Sequence, residues 1–163
     1  ASDTPPPFLP MTTPTGQPLA RYAAARRVGD HLYLSGVVAV NPTGEVPTRY
    51  DALDAPAREA VRALGYDTGQ LSVDVFEGPI VVQSWLVLAR IRELVQSHGG
   101  DMANLCRLVQ YFTDLRDYPA YNRVRNLFFA EPVVSTVVEV SGMLPGSGVR
   151  VEVEATVWMP PGR

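Results

Sequence analysis

Apolar and polar side chains alternate in several short runs that predict β-strands. The first two runs, Tyr22–Val28 and His31–Val40, are separated by a Gly-Asp pair that is typical of a β-hairpin turn. A third strand pattern covers Leu105–Thr113. Two further runs, at about Ser135–Met143 and Val149–Met159, complete the set. The pattern therefore predicts five strands, of which the first two form a hairpin.

Apolar side chains spaced three and four residues apart predict two long helices. The first begins at Pro79 and ends at Gly99-Gly100. The second follows Asp117, a residue type that caps helix N-termini, and ends near Glu131-Pro132. The large side chains at helical spacing are predicted to be core residues: Trp85, Leu88, Ile91 and Phe128.

The segment of residues 48–78 has a mixed pattern. Asp54 is placed to cap a short helix that has Pro56 in its first turn and ends before Gly65. Leu71–Phe76 then alternates apolar and polar side chains, which predicts a short strand or an extended loop.

Together the elements follow the order β-β-(insert)-α-β-α-β-β. This order predicts an α+β fold of two layers, in which two long helices cover one face of a mixed β-sheet. Residues 1–18 contain six prolines and are predicted to form an extended arm. Residues 19–163 are predicted to form a single domain with an insertion at about 48–78, because 163 residues bury one core and not two.

Composition excludes several kinds of chemistry. All 14 basic residues are arginine, so no lysine is present for a Schiff base or a P-loop. The chain has a single cysteine, Cys106, so it cannot form an internal disulfide. Cys106 lies in an apolar run and is predicted to be a small core side chain. His31 and His98 form no metal-binding pair, and we expect neither a metal nor a cofactor. The net charge of -3 argues against general nucleic-acid binding.

Several short segments, taken together and in order, form a distinctive set of motifs. They are Tyr22, Leu34-Ser35-Gly36, Asn41-Pro42-Thr43-Gly44-Glu45, Gln83, Tyr111-Phe112-Thr113-Asp114, Tyr121-Asn122, Phe128, Val138-Glu139-Val140 and Val151-Glu152-Val153-Glu154-Ala155. In this order they resemble the motifs of the RidA/YjgF family of enamine and imine deaminases. The resemblance covers roughly residues 20–47 and 79–159. The resemblance implies a chorismate-mutase-like fold and a homotrimer with three clefts between subunits, each of which binds a small molecule.

The resemblance also implies roles for individual residues. Tyr22 corresponds to a tyrosine of the cleft, Ser35 to a ligand-binding position, and Glu154 to the glutamate that assists water attack on the imine carbon. Ser135 stands where the family has an arginine that binds the substrate carboxylate. A serine there predicts weak turnover of ordinary 2-imino acids. Another arginine is a possible replacement, with these candidates: Arg21, Arg26, Arg27, Arg107 and Arg150.

Alternative interpretations remain open at this stage. Glu152 and Glu154 point to the same face of the last strand, which residue pattern alone favours as a solvated sheet face and the family resemblance favours, for Glu154, as part of the cleft. A trimer that binds a ligand without catalysis is the main alternative function. RNA cleavage is a third, disfavoured because no aromatic pair faces a basic groove. The sequence also shows no signal peptide and no membrane span, from which we expect a cytoplasmic protein.

Overall fold

The computed structural model describes residues 21–161 and contains one mixed β-sheet. The predicted arm at residues 1–18 lies outside the described residues. The strands are β1 Ala25–Val28, β2 His31–Leu34, β3 Val37–Val38, β4 Leu105–Phe112, β5 Ser135–Glu139 and β6 Val151–Trp158. The predicted hairpin is present, but a break after Leu34 divides its second strand into β2 and β3.

The strands are arranged in the order β1-β2-β6-β4-β5, and β3 also pairs with β6. β4 and β5 are parallel, whereas the other pairs are antiparallel. The last strand of the chain therefore lies in the middle of the sheet, and β1 and β5 form its two edges.

The helices are α1 Ala55–Ala63, α2 Leu71–Phe76, α3 Gly78–Ser97 and α4 Tyr118–Arg125. α3 packs against β3 and β6, and its buried side chains form much of the core. Leu88 and Ile91 are fully buried, and the ring of Trp85 packs edge-on against Phe128. These contacts confirm the predicted α+β layers, with helices on one face of a mixed sheet.

The insertion contains two helices. The Asp54 carboxylate accepts a hydrogen bond from the Ala57 backbone N–H and caps α1, as predicted. The prediction for Leu71–Phe76 is wrong, because this segment is the helix α2. Asp74 stabilises the turn before α2 by accepting hydrogen bonds from the backbone N–H groups of Thr68 and Gly69.

Two smaller predictions also differ from the structure. Cys106 is exposed, because the pairing of β4 with β6 shifts register between Leu105 and Arg107 and places Cys106 in a bulge. The second long helix is shorter than its pattern predicts, since α4 ends at Arg125. Within residues 21–161, no helix is both long enough and apolar enough to cross a membrane.

Candidate active site

Two glutamates of β6 lie on the face of the sheet that the helices leave uncovered. The alternating residues Val151, Val153, Ala155 and Val157 are buried on the helix side. Glu152 and Glu154 therefore point to the opposite face, which confirms that they share one side of the strand. Tyr111 of the neighbouring β4 lies on the same side and contacts Glu154. We call the surface formed by Tyr111, Glu152 and Glu154 the carboxylate face.

Glu152 is held in a confined position. Its carboxylate lies directly against Gly36, so closely that a methyl group at Gly36 would overlap it. Burial raises the pKa of Glu152, and the negative charge of Glu154 raises it further. The Glu152 carboxyl group is therefore easier to protonate than an exposed glutamate.

Glu154 has a different environment on the same strand. The Tyr111 hydroxyl donates a hydrogen bond of 2.5 Å to Glu154 Oε1. This bond raises the pKa of Tyr111, because loss of the phenolic proton would leave two negative oxygens in contact. The two carboxylates thus differ in their surroundings: Glu152 is confined beside Gly36, and Glu154 accepts a hydrogen bond from Tyr111.

The segments that carry Tyr22 and Ser35 meet close to the Glu152 carboxylate, although they are distant from it in the sequence. The Ser35 hydroxyl donates to the Ala23 carbonyl oxygen at 2.7 Å, and the Ser35 backbone N–H donates to the Ala24 carbonyl oxygen at 3.0 Å. These bonds fasten the segment that carries Tyr22, whose side chain is 40% exposed. Because Ser35 directly precedes Gly36, the structure places these residues at the same end of β2 as the Glu152 carboxylate.

Ser135 lies elsewhere in the chain. It begins the edge strand β5, and its hydroxyl bonds to Gln110, whose side chain is buried on the helix side of the sheet. Three strand spacings of about 4.8 Å, or about 14 Å, separate β5 from β2 in the strand order. A single chain therefore brings Tyr22, Ser35 and the two glutamates to one region but leaves Ser135 at the opposite edge.

The guanidinium nearest to Ser135 is one that the sequence analysis did not select. Arg125 of α4 places its Nη1 2.9 Å from Ser135 Oγ. Of the five arginines considered, Arg150 is instead paired with Asp117, and Arg27 binds the carbonyl oxygens of Gly29 and Met159. No sequence signal indicates Arg125, because its approach to β5 depends on how α4 packs.

The insertion does not contribute to the carboxylate face within one chain. With α3 it encloses a cavity of about 580 Å³ on the helix side of the sheet. The cavity is lined by Leu53, Pro56, Trp85, Ala89, Arg92 and Glu93, among others. Among residues 21–161, no group of three or more His, Cys, Asp or Glu side chains could hold a metal ion.

Comparisons with known proteins show which family this chain resembles. The family model described as Endoribonuclease L-PSP matches residues 55–159. A 2-iminobutanoate/2-iminopropanoate deaminase from Dermatophagoides farinae is 25% identical, and the match covers 90% of this chain and 93% of the relative.

Solved structures show the same fold. A Klebsiella pneumoniae protein that carries an endoribonuclease name is 50% identical, with a TM-score of 0.78 over 85% of this chain and 100% of that one. The YjgF gene product of E. coli is 20% identical, with a TM-score of 0.66 over 91% and 96% of the two chains. The family match over most of the domain and the shared fold show that the chain belongs to the endoribonuclease L-PSP family, also known as RidA/YjgF.

Proposed function

We propose that this chain is a hydrolase of small imines or enamines that needs no cofactor and works at the carboxylate face. The observation that carries the proposal is the confined Glu152 carboxyl group, whose pKa is raised by burial and by Glu154. A carboxyl group whose pKa is raised accepts a proton more readily than an exposed glutamate does, which suits proton transfer. The deaminase name of the Dermatophagoides farinae relative supports the same chemistry.

The proposed reaction converts a C=N bond and water into a C=O bond and ammonia. The ionised carboxylate accepts a proton from water as the water oxygen bonds to the imine carbon. The resulting carboxyl group returns that proton to the nitrogen. The carboxylate, ionised again, then takes the remaining proton of the new hydroxyl group and passes it to the amine nitrogen. The C–N bond breaks as the carbonyl forms, and the nitrogen leaves as neutral ammonia.

The two glutamates take different parts in this proposal. The assignment of Glu154 as the catalytic carboxylate stays a prediction, and its Oε1 already accepts a hydrogen bond from the Tyr111 hydroxyl. Glu152 has the more suitable environment for proton exchange, because nothing but its own burial and the neighbouring charge sets its pKa. We therefore assign the proton transfers to Glu152 and an electrostatic role to Glu154.

The proposed site is shared between subunits. Tyr22, Ser35 and Glu152 lie toward one side of the sheet, and Ser135 lies at the opposite edge, β5. Contact between two different surfaces of identical chains is heterologous, and such contacts close into a ring when the rotation fits. The family resemblance gives the number of subunits as three. Each of the three clefts would then hold one small molecule.

Two other functions remain as outcomes of the test. Ser135, in place of an arginine, favours a trimer that binds a metabolite without turning it over. RNA cleavage is opposed by the charge of the carboxylate face, where Glu152 and Glu154 would repel a phosphate backbone.

The test is the hydrolysis of an imine that is generated enzymatically in the assay mixture. An amino-acid oxidase acting on alanine produces 2-iminopropanoate, whose decay is followed with and without the protein. We expect the protein to accelerate decay and Glu152→Gln to lower the rate by at least about 100-fold, the usual contribution of a general acid–base group. Glu59→Gln serves as the control, because Glu59 is exposed on α1.

Two outcomes would contradict the proposal. One is a wild-type protein that does not accelerate imine decay, which would favour the ligand-binding alternative if 2-oxo acids still bind. The other is a Glu152→Gln protein as active as the Glu59→Gln control.

A further inference from the structure

The cavity between the insertion and α3 lies on the helix side of the sheet, opposite the carboxylate face. Its volume of about 580 Å³ is within the range of about 300–1,000 Å³ that is typical of small-molecule sites. The insertion contributes Ala52, Leu53, Asp54 and Pro56 to its lining. The cavity therefore depends on the segment that interrupts the family resemblance.

The α3 side of this cavity is formed by one stripe of the helix. Trp85, Ala89, Arg92 and Gln96 follow one another at spacings of four, three and four residues, so they lie on one face of α3. The small side chain of Ala89, between the larger Trp85 and Arg92, leaves space for a ligand. Trp85 and Ala89 are half-buried, and with Leu53 they provide apolar surface that a flat ring can contact.

Arg92 is packed against an aromatic ring beside the cavity. Its guanidinium carbon lies over the Phe128 ring, 4.9 Å from the ring centre. Phe128 is buried and also packs edge-on against Trp85, with 4.9 Å between the ring centres. Stacking uses the flat surface of a guanidinium and leaves the N–H groups at its edge available to a ligand.

The charged side chains that line the cavity differ in their partners. Glu93 lies 3.3 Å from the Arg90 guanidinium. Asp54 accepts a hydrogen bond from the Ala57 backbone N–H at 2.9 Å, at the helix N-terminus of α1, where the helix dipole favours a negative charge. Among residues 21–161, no carboxylate forms an ion pair with Arg92. Both carboxylates are therefore matched by positive groups of the domain, whereas the Arg92 charge is not.

We propose that this cavity binds a small aromatic carboxylate, whose ring contacts Trp85 and whose carboxylate accepts hydrogen bonds from Arg92. A guanidinium can donate two parallel N–H bonds to one carboxylate, which fixes the orientation of the ligand. The ring contributes affinity through the apolar surface that it removes from water. The site is separate from the cleft of the proposed function and goes beyond that function.

The test measures binding of phenylacetate to the full chain by titration calorimetry. Phenylacetamide, its neutral analogue, tests the need for the charge, and acetate tests the need for the ring. We expect phenylacetate to bind with a Kd of about 1 mM or lower, as the size of the ligand allows. Phenylacetamide and acetate should each bind at least about 10-fold more weakly.

Two variants connect this binding with the cavity. Arg92→Met removes the charge but keeps a long side chain, and it should weaken phenylacetate binding by about 10-fold or more. Ala89→Leu fills part of the cavity and should abolish binding while Arg92 remains. Arg62→Met is the matched control, because Arg62 of α1 is exposed and does not line the cavity.

A further variant separates the cavity from the proposed cleft. Ser135→Val alters the cleft and should bind phenylacetate as the wild type does. The inference is overturned by a wild type that does not bind phenylacetate, by equal binding in Arg92→Met and Arg62→Met, or by a loss in Ser135→Val as large as that in Arg92→Met. Should Arg92→Met fail to fold in a thermal unfolding measurement, Ala89→Leu and the phenylacetamide comparison decide.

Discussion

The two glutamates of β6 show what a sequence can indicate about a site and what it leaves open. Their spacing correctly predicts that Glu152 and Glu154 share one face of a strand. Their different environments come from other strands, since Gly36 confines Glu152 and Tyr111 binds Glu154. The sequence alone therefore identified the pair but could not distinguish the roles of its members.

The pH dependence of imine hydrolysis should distinguish these roles. If Glu152 accepts the proton from water, kcat/KM falls as the pH drops through the raised pKa of Glu152. Glu154→Gln removes a negative charge that raises this pKa, so the acidic limb should move to lower pH while activity is retained. Glu154→Asp keeps the charge and should leave the limb close to its wild-type position.

Other results of the same experiment would assign the proton transfer to a different carboxylate or contradict the proposed coupling. Complete loss of activity in Glu154→Gln, at every pH, would make Glu154 the carboxylate that transfers the proton. An acidic limb that does not move in an active Glu154→Gln protein would contradict the coupling between the two side chains.

The sequence could not indicate Arg125 as a site residue either, because its contacts also come from other elements of the fold. It lies ten positions before Ser135, inside the helix that the pattern extends from Asp117 to about Glu131-Pro132. Its guanidinium reaches Ser135 because α4 packs beside β4 and both side chains meet at the buried Gln110. Such a contact depends on tertiary packing, which neither spacing nor composition records.

At the scale of elements, the errors have identifiable causes. The alternation in Leu71–Phe76 is typical of a half-buried strand, but this segment leads directly into α3 and is helical. Its side chains at Leu71 and Phe76 are 77% and 74% exposed, whereas Val73 packs against the core, so the segment does not bury alternate positions as a strand would. The longer runs that form α3, β4 and β6 were predicted at nearly their correct positions.

The start of α4 gives a second example. Asp117 was expected to cap the helix, but its backbone is already helical and its carboxylate binds Arg150 through Nε at 2.8 Å and Nη2 at 2.5 Å. This pair joins the beginning of α4 to the residue before β6. Its side chains are only 9% and 29% exposed, so the pair is largely shielded from water.

Removal of one partner from this pair should destabilise the domain. Asp117→Asn leaves the Arg150 charge without its carboxylate, and we expect the free energy of unfolding to fall by about 2–3 kcal/mol. Chemical denaturation at a fixed protein concentration measures the change. Asp51→Asn is the control, because the Arg49–Asp51 pair is exposed and should contribute less than about 1 kcal/mol. Equal losses for the two variants would contradict the structural role of the pair.

At the scale of the whole molecule, the α+β fold and the family follow from the sequence, whereas the complete site does not. The order of elements predicts the layers, and the ordered motifs predict the family. The site residues, however, lie at opposite sides of one sheet, with Ser35 beside β2 and Ser135 on the edge strand β5. The proposed cleft therefore combines positions from two neighbouring chains.

Mixing of two variants tests this shared site most directly. Glu152→Gln and Ser135→Val alter opposite sides of the proposed cleft, so each pure variant should be impaired at low 2-iminopropanoate concentration. After the two are unfolded together and refolded in equal amounts, random assembly of a ring should leave about a quarter of the clefts with both native residues. We predict that the mixture recovers activity well above the average of the two variants. Activity equal to that average would show that each site lies within a single chain.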